Sequence, residues 1–127
     1  MWCDSKKLAS ECGFTDLCQK YNTTSKDKPV HLTLLYESFC PACQNFIVKI
    51  LPKIYTTFKD LLEVELVPYG NAKQINSTTI KCQHGRKECN ANKYESCAIH
   101  SLPEPVPFIT CLENLLEHGL EQAAKSV

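Results

Sequence analysis

The chain has 127 residues, 14 Lys and Arg against 14 Asp and Glu, and 43% hydrophobic residues. This length suits a single core, and the zero formal charge lacks the basic footprint of nucleic-acid-binding proteins, so we expect no nucleic acid as a partner. No apolar run approaches the roughly 20 residues that span a bilayer, so we also expect no transmembrane segment.

The nine cysteines are many for so short a chain and are typical of an oxidising compartment or a metal site. Two N-glycosylation sequons, at Asn22 and Asn76, favour a lumenal or secreted location. The start, Met1-Trp2-Cys3-Asp4, shows no secretory leader. We therefore expect that a leader has been removed or that the chain is a fragment.

Residues 1–29 are predicted to form a disulfide-tied arm that contains Cys3, Cys12 and Cys18, followed by a polar linker at 22–29. Residues 30–36 are rich in apolar and β-branched side chains at both odd and even positions. This pattern indicates a strand covered on both faces, which we place at the centre of a sheet.

Apolar side chains then recur at steps of three and four from Cys43 to Phe58, which predicts an amphipathic helix of about 18 residues. Pro52 lies inside that helix and should bend it. Residues 61–67 are again strand-like. Because a strand, a helix and a second strand form a βαβ unit, we expect the two strands to be parallel.

The remaining sequence predicts a loop at 70–87 with at most a short strand at 78–81. Two helices follow, at 88–99 and 107–125. The apolar side of the last helix is expected to contain Phe108, Cys111, Leu112, Leu115, Leu116 and Leu120.

Cys40-Pro41-Ala42-Cys43 lies between the first strand and the first long helix. Since proline favours the first helical position, Cys40 is predicted to be the N-cap and Cys43 the third helical residue. The unpaired amides and the positive dipole end of the helix should lower the pKa of Cys40. We expect Cys40 to attack a substrate disulfide and Cys43 to resolve the mixed disulfide.

Other interpretations of this motif stay open. Cys40 and Cys43 could instead form an inert structural disulfide or two corners of a zinc site. In that case the chain would be a disulfide-stabilised lumenal or secreted binding protein without turnover.

A second cysteine cluster lies between Cys82 and Cys97. Zinc ligation by Cys82, His84, Cys89 and Cys97 is one interpretation, but the spacing is not that of a common zinc module, and we expect no metal or other cofactor. His84 is interpreted as a hydrogen-bonded surface group, with a proton relay as the alternative. The candidates for structural disulfides are Cys3, Cys12, Cys18, Cys82, Cys89, Cys97 and Cys111, an odd number that leaves at least one thiol unpaired.

The second cluster resembles the signature of the gamma-interferon-inducible lysosomal thiol reductase (GILT) family. The matching residues are Cys82, Gln83, His84, Gly85, Glu88, Cys89, Asn92 and Cys97. The Cys40–Cys43 pair falls where that family carries its active-site CxxC, and the arm with Trp2-Cys3-Asp4 is similar to saposin A-type segments.

This resemblance implies an α/β, thioredoxin-like fold with a βαβ core, a helical insertion and a disulfide-rich N-terminal arm. It also implies a glycoprotein of the lysosomal lumen or the extracellular space that reduces protein disulfides at acidic pH. Its partners would be disulfide-bonded proteins and a small-thiol or thiol-protein reductant. Family members continue beyond the last helix, so we expect the C-terminal strands of the 30–127 domain, with a substrate-facing proline, to be missing.

Overall fold

A computed structural model describes residues 2–24 and 28–127 of the chain. It divides the chain into two compact units, Met1–Val30 and His31–Val127. Part of the predicted linker, residues 25–27, lies outside the described residues. The two units are therefore taken separately.

The first unit consists of a 3₁₀ turn and two short helices, Trp2–Asp4, α1 (Lys6–Glu11) and α2 (Thr15–Thr24). Ser5 caps α1, because its hydroxyl oxygen accepts a hydrogen bond from the amide of Leu8 at 3.3 Å. A disulfide joins Cys3 to Cys18, which is buried. Helices this short bury little apolar surface, so the covalent link supplies much of the restraint on the arm.

From Val30 onward the chain alternates strands and helices. The elements are β1 (Val30–Tyr36), α3 (Pro41–Asn45), a π-helical turn (Phe46–Ile50), α4 (Leu51–Phe58), β2 (Leu62–Pro68), β3 (Lys73–Gln74), β4 (Ile80–Lys81), α5 (Arg86–Ser101), α6 (Pro105–Leu115) and α7 (Leu120–Ser126). Short 3₁₀ turns follow α4 at Lys59–Leu61 and α6 at Leu116–His118. The expected mixture of helices and strands is confirmed.

Strands β1 and β2 are hydrogen-bonded neighbours. His31 contacts Glu63 at 2.9 Å, and the Thr33 hydroxyl donates to Glu65 at 2.8 Å. Since the partner numbers increase together along both strands, the pair is parallel. The helical segment from α3 to α4 therefore connects two parallel strands, which is the predicted βαβ arrangement.

The prediction that β1 is covered on both faces is wrong for the described residues. There, β1 belongs to a two-stranded sheet and buries only alternate side chains. Leu32, Leu34 and Tyr36 pack in the core, whereas Leu35 is 67% exposed. Apolar residues at both odd and even positions indicated two covered faces, but the described helices pack on one face only.

The predicted long helix is interrupted by a π-helical turn just before Pro52. Within this turn the amide of Leu51 bonds to the carbonyl of Phe46, five residues earlier. Proline has no amide to continue the helical bonding, and the wider turn absorbs the defect. It also changes the helix phase, so Ile50 and Phe58, predicted on the apolar stripe, are 43% and 51% exposed.

The last part of the chain differs from prediction in three ways. The predicted short strand at 78–81 is present as β4, but it pairs with the unpredicted β3 in an antiparallel pair in which Gln74 faces Ile80. The predicted helix at 107–125 is divided near Gly119, whose φ of 93° is readily adopted only by glycine. Cys111 is exposed instead of lying on the apolar side of α6, whereas Glu113 is buried.

The core of the second unit lies between the β1–β2 sheet and the helices. Its buried apolar side chains form two clusters, one of Tyr36, Ile47, Leu51, Leu66, Val106 and Ile109 and one of Ala91, Leu112, Leu116 and Ala123. Of the helices in the described ranges, none is both long enough and apolar enough to cross a bilayer.

Candidate functional site

Cys40 is the N-cap of α3, immediately beyond β1. It has an extended backbone (φ −81°, ψ 119°), and Pro41 begins the helix as its first residue. Cys43 is therefore the third helical residue, at the position that the motif predicts. Both cysteines are unpaired and half-buried, so a strand–helix junction presents two thiols one turn apart.

The two thiols differ in their surroundings. Burial raises the pKa of the Cys43 thiol, a backbone hydrogen bond from Glu37 opposes this shift, and the adjacent Cys40 adds to it. Cys43 also packs against the apolar core. The thiol deeper in the helix is thus the harder one to ionise.

The segment before Cys40 is held by α5. The Asn92 side-chain oxygen accepts hydrogen bonds from the amide of Ser38 at 3.1 Å and from its hydroxyl at 2.8 Å. The carbonyl of Ser38 accepts a bond of 2.8 Å from Gln44, one residue beyond Cys43. Because Ser38 is fully buried, these bonds replace the water that its polar groups lose.

Glu37 links the same segment to His84. The Nδ1 atom of His84 lies 2.5 Å from Glu88 and 3.4 Å from Glu37, and both carboxylates are buried. The amide of Asn71 donates to Glu37 at 2.6 Å. The imidazole therefore gives these two buried carboxylates a polar partner in place of the water that they lose. His84 is thus an exposed, hydrogen-bonded residue, as interpreted from the sequence, and its partners are two buried carboxylates.

These three residues are also the group that could hold a metal ion, since one ligand atom from each of Glu37, His84 and Glu88 lies within 4.8 Å of the others. Hydrogen bonds within the cluster already use those atoms. The zinc set considered from the sequence is a different one. Its Cys82 and Cys89 are joined by a disulfide and are not available as thiolate ligands.

The family-signature residues surround the start of α5. The Cys82–Cys89 disulfide closes the turn that contains Gly85, whose φ of 87° favours glycine. Gln83 accepts a hydrogen bond of 2.8 Å from Asn71. Together with the bonds of His84, Glu88 and Asn92, these contacts connect the signature to the segment that carries the CxxC.

Other residues singled out in the sequence lie apart from the CxxC pair. Cys97 on α5 and Cys111 on α6 are exposed unpaired thiols, as is Cys12 in the first unit. Asn22 is exposed on α2. Asn76 lies in the exposed turn between β3 and β4, where its side-chain oxygen accepts a hydrogen bond of 3.0 Å from the amide of Thr78.

Sequence reasoning missed a buried acidic pair behind the thiols. Glu95 on α5 accepts a hydrogen bond of 2.7 Å from the Tyr36 hydroxyl, and Glu113 lies on α6. Burial is the main cause that raises the pKa of Glu95 to about 7 and that of Glu113 to about 10. Glu113 falls at the core-facing spacing set by Ile109 and Leu112, and that spacing could have identified it.

A groove of about 820 Å³ begins beside Phe39, the residue before Cys40. The ends of α6 and α7 supply Leu116, Leu120 and the charged Glu117 and Lys125 to its wall. Its mixture of apolar and charged side chains suits contact with a polypeptide.

Residues 31–126 match the family model described as "Gamma interferon inducible lysosomal thiol reductase (GILT)". The "Gamma-interferon-inducible lysosomal thiol reductase" of Carassius auratus is 40% identical over 117 residues, which are 89% of this chain and 45% of that protein. The "Gamma-interferon-responsive lysosomal thiol protein" of Arabidopsis thaliana is 41% identical over 93 residues, 70% of this chain and 40% of that protein.

The "Gamma-interferon-inducible lysosomal thiol reductase" of Mus musculus is 37% identical over 92 residues, 68% of this chain and 37% of that protein. The chain thus spans less than half the length of each of these three relatives. The family model covers most of the chain, and its matched range includes both the CxxC and the second cysteine cluster. The chain belongs to the GILT family.

Proposed function

We propose that this chain is a thiol oxidoreductase that reduces protein disulfides, with Cys40 as the nucleophile and Cys43 as the resolving thiol. The observation that carries the proposal is the placement of the pair. Cys40 is the N-cap of a helix and Cys43 lies one turn inside it. The segment before them is bonded to Asn92 of the family signature.

The reaction has two exchanges. The Cys40 thiolate attacks one sulfur of a substrate disulfide, which forms a mixed disulfide and releases the first substrate thiolate. Cys43 loses its proton and attacks the Cys40 sulfur, which releases the second substrate thiolate and leaves a Cys40–Cys43 disulfide. The substrate gains two electrons and two protons, and an external thiol then reduces the enzyme.

The two positions suit these separate roles. The N-cap side chain faces amides of the first helical turn that have no intrahelical partner, and these amides favour a negatively charged sulfur. The Cys43 thiol has a raised pKa because it is buried, so it stays protonated until the mixed disulfide has formed. Pro41 and Ala42 add no charge, which favours a reductant over a strong oxidant.

The cellular location, working pH and partners proposed for this activity follow from the family. The relatives are named lysosomal thiol reductases, and we propose a lysosomal or secreted location, an acidic working pH and a thioredoxin-like fold for the whole protein. Asn22 and Asn76 are the proposed glycan acceptors. The proposed substrates are disulfide-bonded proteins, and the electron donor is a small thiol or a thiol protein.

The test is reduction of insulin by the chain at acidic and at neutral pH, with Cys40→Ser and Cys43→Ser as variants. Cys111→Ser removes an exposed thiol outside the pair and is the matched control. The wild type and the control should reduce insulin, Cys40→Ser should be inactive, and Cys43→Ser should accumulate a mixed disulfide detectable by mass. A wild type no faster than Cys40→Ser contradicts the proposal.

A further inference from the structure

Two carboxyl groups are buried behind the CxxC, and most of their oxygens accept no hydrogen bond from the residues that the structure describes. Glu95 is 0% and Glu113 is 3% exposed. The Tyr36 hydroxyl occupies one oxygen of Glu95. Among the described residues, the other oxygen of Glu95 and both oxygens of Glu113 have no hydrogen-bond partner. Two such groups side by side cannot both be charged, because each would lack its hydration and repel the other.

This acidic pair interacts with the two thiols through packing and through charge. Cys43 packs against the core cluster that includes Tyr36, the hydrogen-bond partner of Glu95. A negative charge on Cys40 also raises the pKa of Glu113, after the larger effects of burial and of Glu95. Since electrostatic interactions are reciprocal, negative charges on Glu113 and on Cys40 repel each other.

We propose that the Glu95–Glu113 pair must be neutral for Cys40 to react at its full rate, so that the two carboxyls set the upper end of the pH range in which the site works. The inference rests on the proposed function, in which the Cys40 thiolate starts the reaction. Glu95 and Glu113 act through Cys40 and are positioning residues, because both are buried.

The direction of the effect follows from the protonation states. The pair titrates as a unit, with pKa values of about 7 and about 10. At acidic pH the pair is neutral, and above neutrality it gains a buried negative charge. The titratable groups that act on it from the neighbouring elements are Tyr36 of β1, which stays protonated, and the Cys40 thiol at the start of α3. The Cys43 thiol acts on Tyr36.

The experiment measures alkylation of Cys40 by iodoacetamide across the acidic to mildly alkaline range, in a Cys43→Ser background. Glu113→Gln keeps the shape of the neutral acid and cannot ionise. Asp60→Asn, an exposed carboxyl in the turn after α4, is the matched control. The ratio of the Glu113→Gln rate to the parent rate should be near one in acid and rise by about threefold to tenfold above neutrality, as expected for like charges in a partly dry interior.

A ratio that stays constant with pH overturns the proposal, whether the variant is equally fast or uniformly slower. A measurement on the unsubstituted protein gives a second test that does not depend on the folding of a variant. Infrared difference spectra should show a protonated carboxylic acid that persists at neutral pH and disappears on further titration, and the absence of this band also overturns the proposal. Failure of insulin reduction, in contrast, contradicts only the proposed function.

Discussion

The side-chain oxygen of Asn92 accepts both the amide and the hydroxyl hydrogen of Ser38, at 3.1 and 2.8 Å, across a sequence separation of 54 residues. Ser38 precedes Cys40 by two residues, so this contact sets where the reactive helix begins. It also gives the signature asparagine a physical role, because a signature residue on α5 satisfies the buried polar groups of the active-site segment.

Replacement of Asn92 by alanine should therefore loosen the CxxC segment. The buried amide of Ser38 would lose its acceptor, at a cost of about 1–3 kcal/mol. The Ser38 hydroxyl would keep only the carbonyl of Glu88, at 3.4 Å. Urea unfolding should show the loss of stability. The alkylation rate of Cys40 in the folded variant should be closer to the rate in the unfolded chain. Asn90→Ala on the exposed face of the same helix is the control. Equal stabilities of the two variants would contradict this role of Asn92.

Gly70 controls the position of Glu37. Its φ is 53°, and a Cβ atom there would lie 2.8 Å from a carboxylate oxygen of Glu37 and even closer to its side-chain carbon. Gly119 has a similarly positive φ but open space around a Cβ. Both Ala variants pay about 1 kcal/mol of backbone strain, and only Gly70→Ala should also displace Glu37 and lower insulin reduction.

A comparison of these two glycine variants separates the effect of the contact with Glu37 from the effect of backbone strain. Thermal unfolding measures the shared backbone effect, and the reductase assay measures the effect on Glu37. If Gly119→Ala reduces activity as much as Gly70→Ala does, the position of Glu37 is not what matters.

Local patterns predicted much of this fold because the relevant forces act within a few residues. Runs of apolar and β-branched residues identified β1 and β2, and Pro41 placed the start of the helix with Cys40 as its N-cap. The π-helical turn before Pro52 was not predicted, because a proline inside a helix can be accommodated by a kink or by a wider turn, and packing decides which. The exposed face of β1 depends in the same way on which helices cover it.

The site was predictable where chemistry follows from one segment and not where it depends on distant contacts. The CxxC and the residues of the second cluster were visible in the sequence, but the hydrogen bonds from Ser38 to Asn92 and the contact between His84 and Glu37 exist only in three dimensions. The burial of Glu95 and Glu113 was missed because a glutamate on a helix is usually solvated.

The ion pair of His84 with its two carboxylates gives a third prediction. His84→Ala should destabilise the protein by about 1–3 kcal/mol, less than for a fully buried pair, because the imidazole is 33% exposed. The addition of Glu88→Gln should recover part of this loss, since it removes one of the carboxylates left without a cation. A double-mutant cycle measured by urea unfolding gives the coupling, and additive effects would mean that the contact contributes nothing.

The buried acidic pair also makes the stability of the whole fold depend on pH. The folded state raises the pKa of Glu95 from 4.5 to about 7 and that of Glu113 from 4.5 to about 10. Within that window the folded protein holds more protons than the unfolded chain, so the free energy of unfolding must fall as pH increases. The slope is at most about 1.4 kcal/mol per pH unit for each carboxyl.

Urea unfolding at about pH 5, 6 and 7 should therefore show the greatest stability at the lowest of these values, the opposite of a protein held by salt-bridged carboxylates. Glu113→Gln should flatten this dependence, because one of the two carboxyls that gain protons on folding is gone. Glu117→Gln should leave the slope unchanged, since that side chain is 77% exposed. A wild-type stability that rises with pH over the same range would mean that Glu95 and Glu113 are charged in the folded protein.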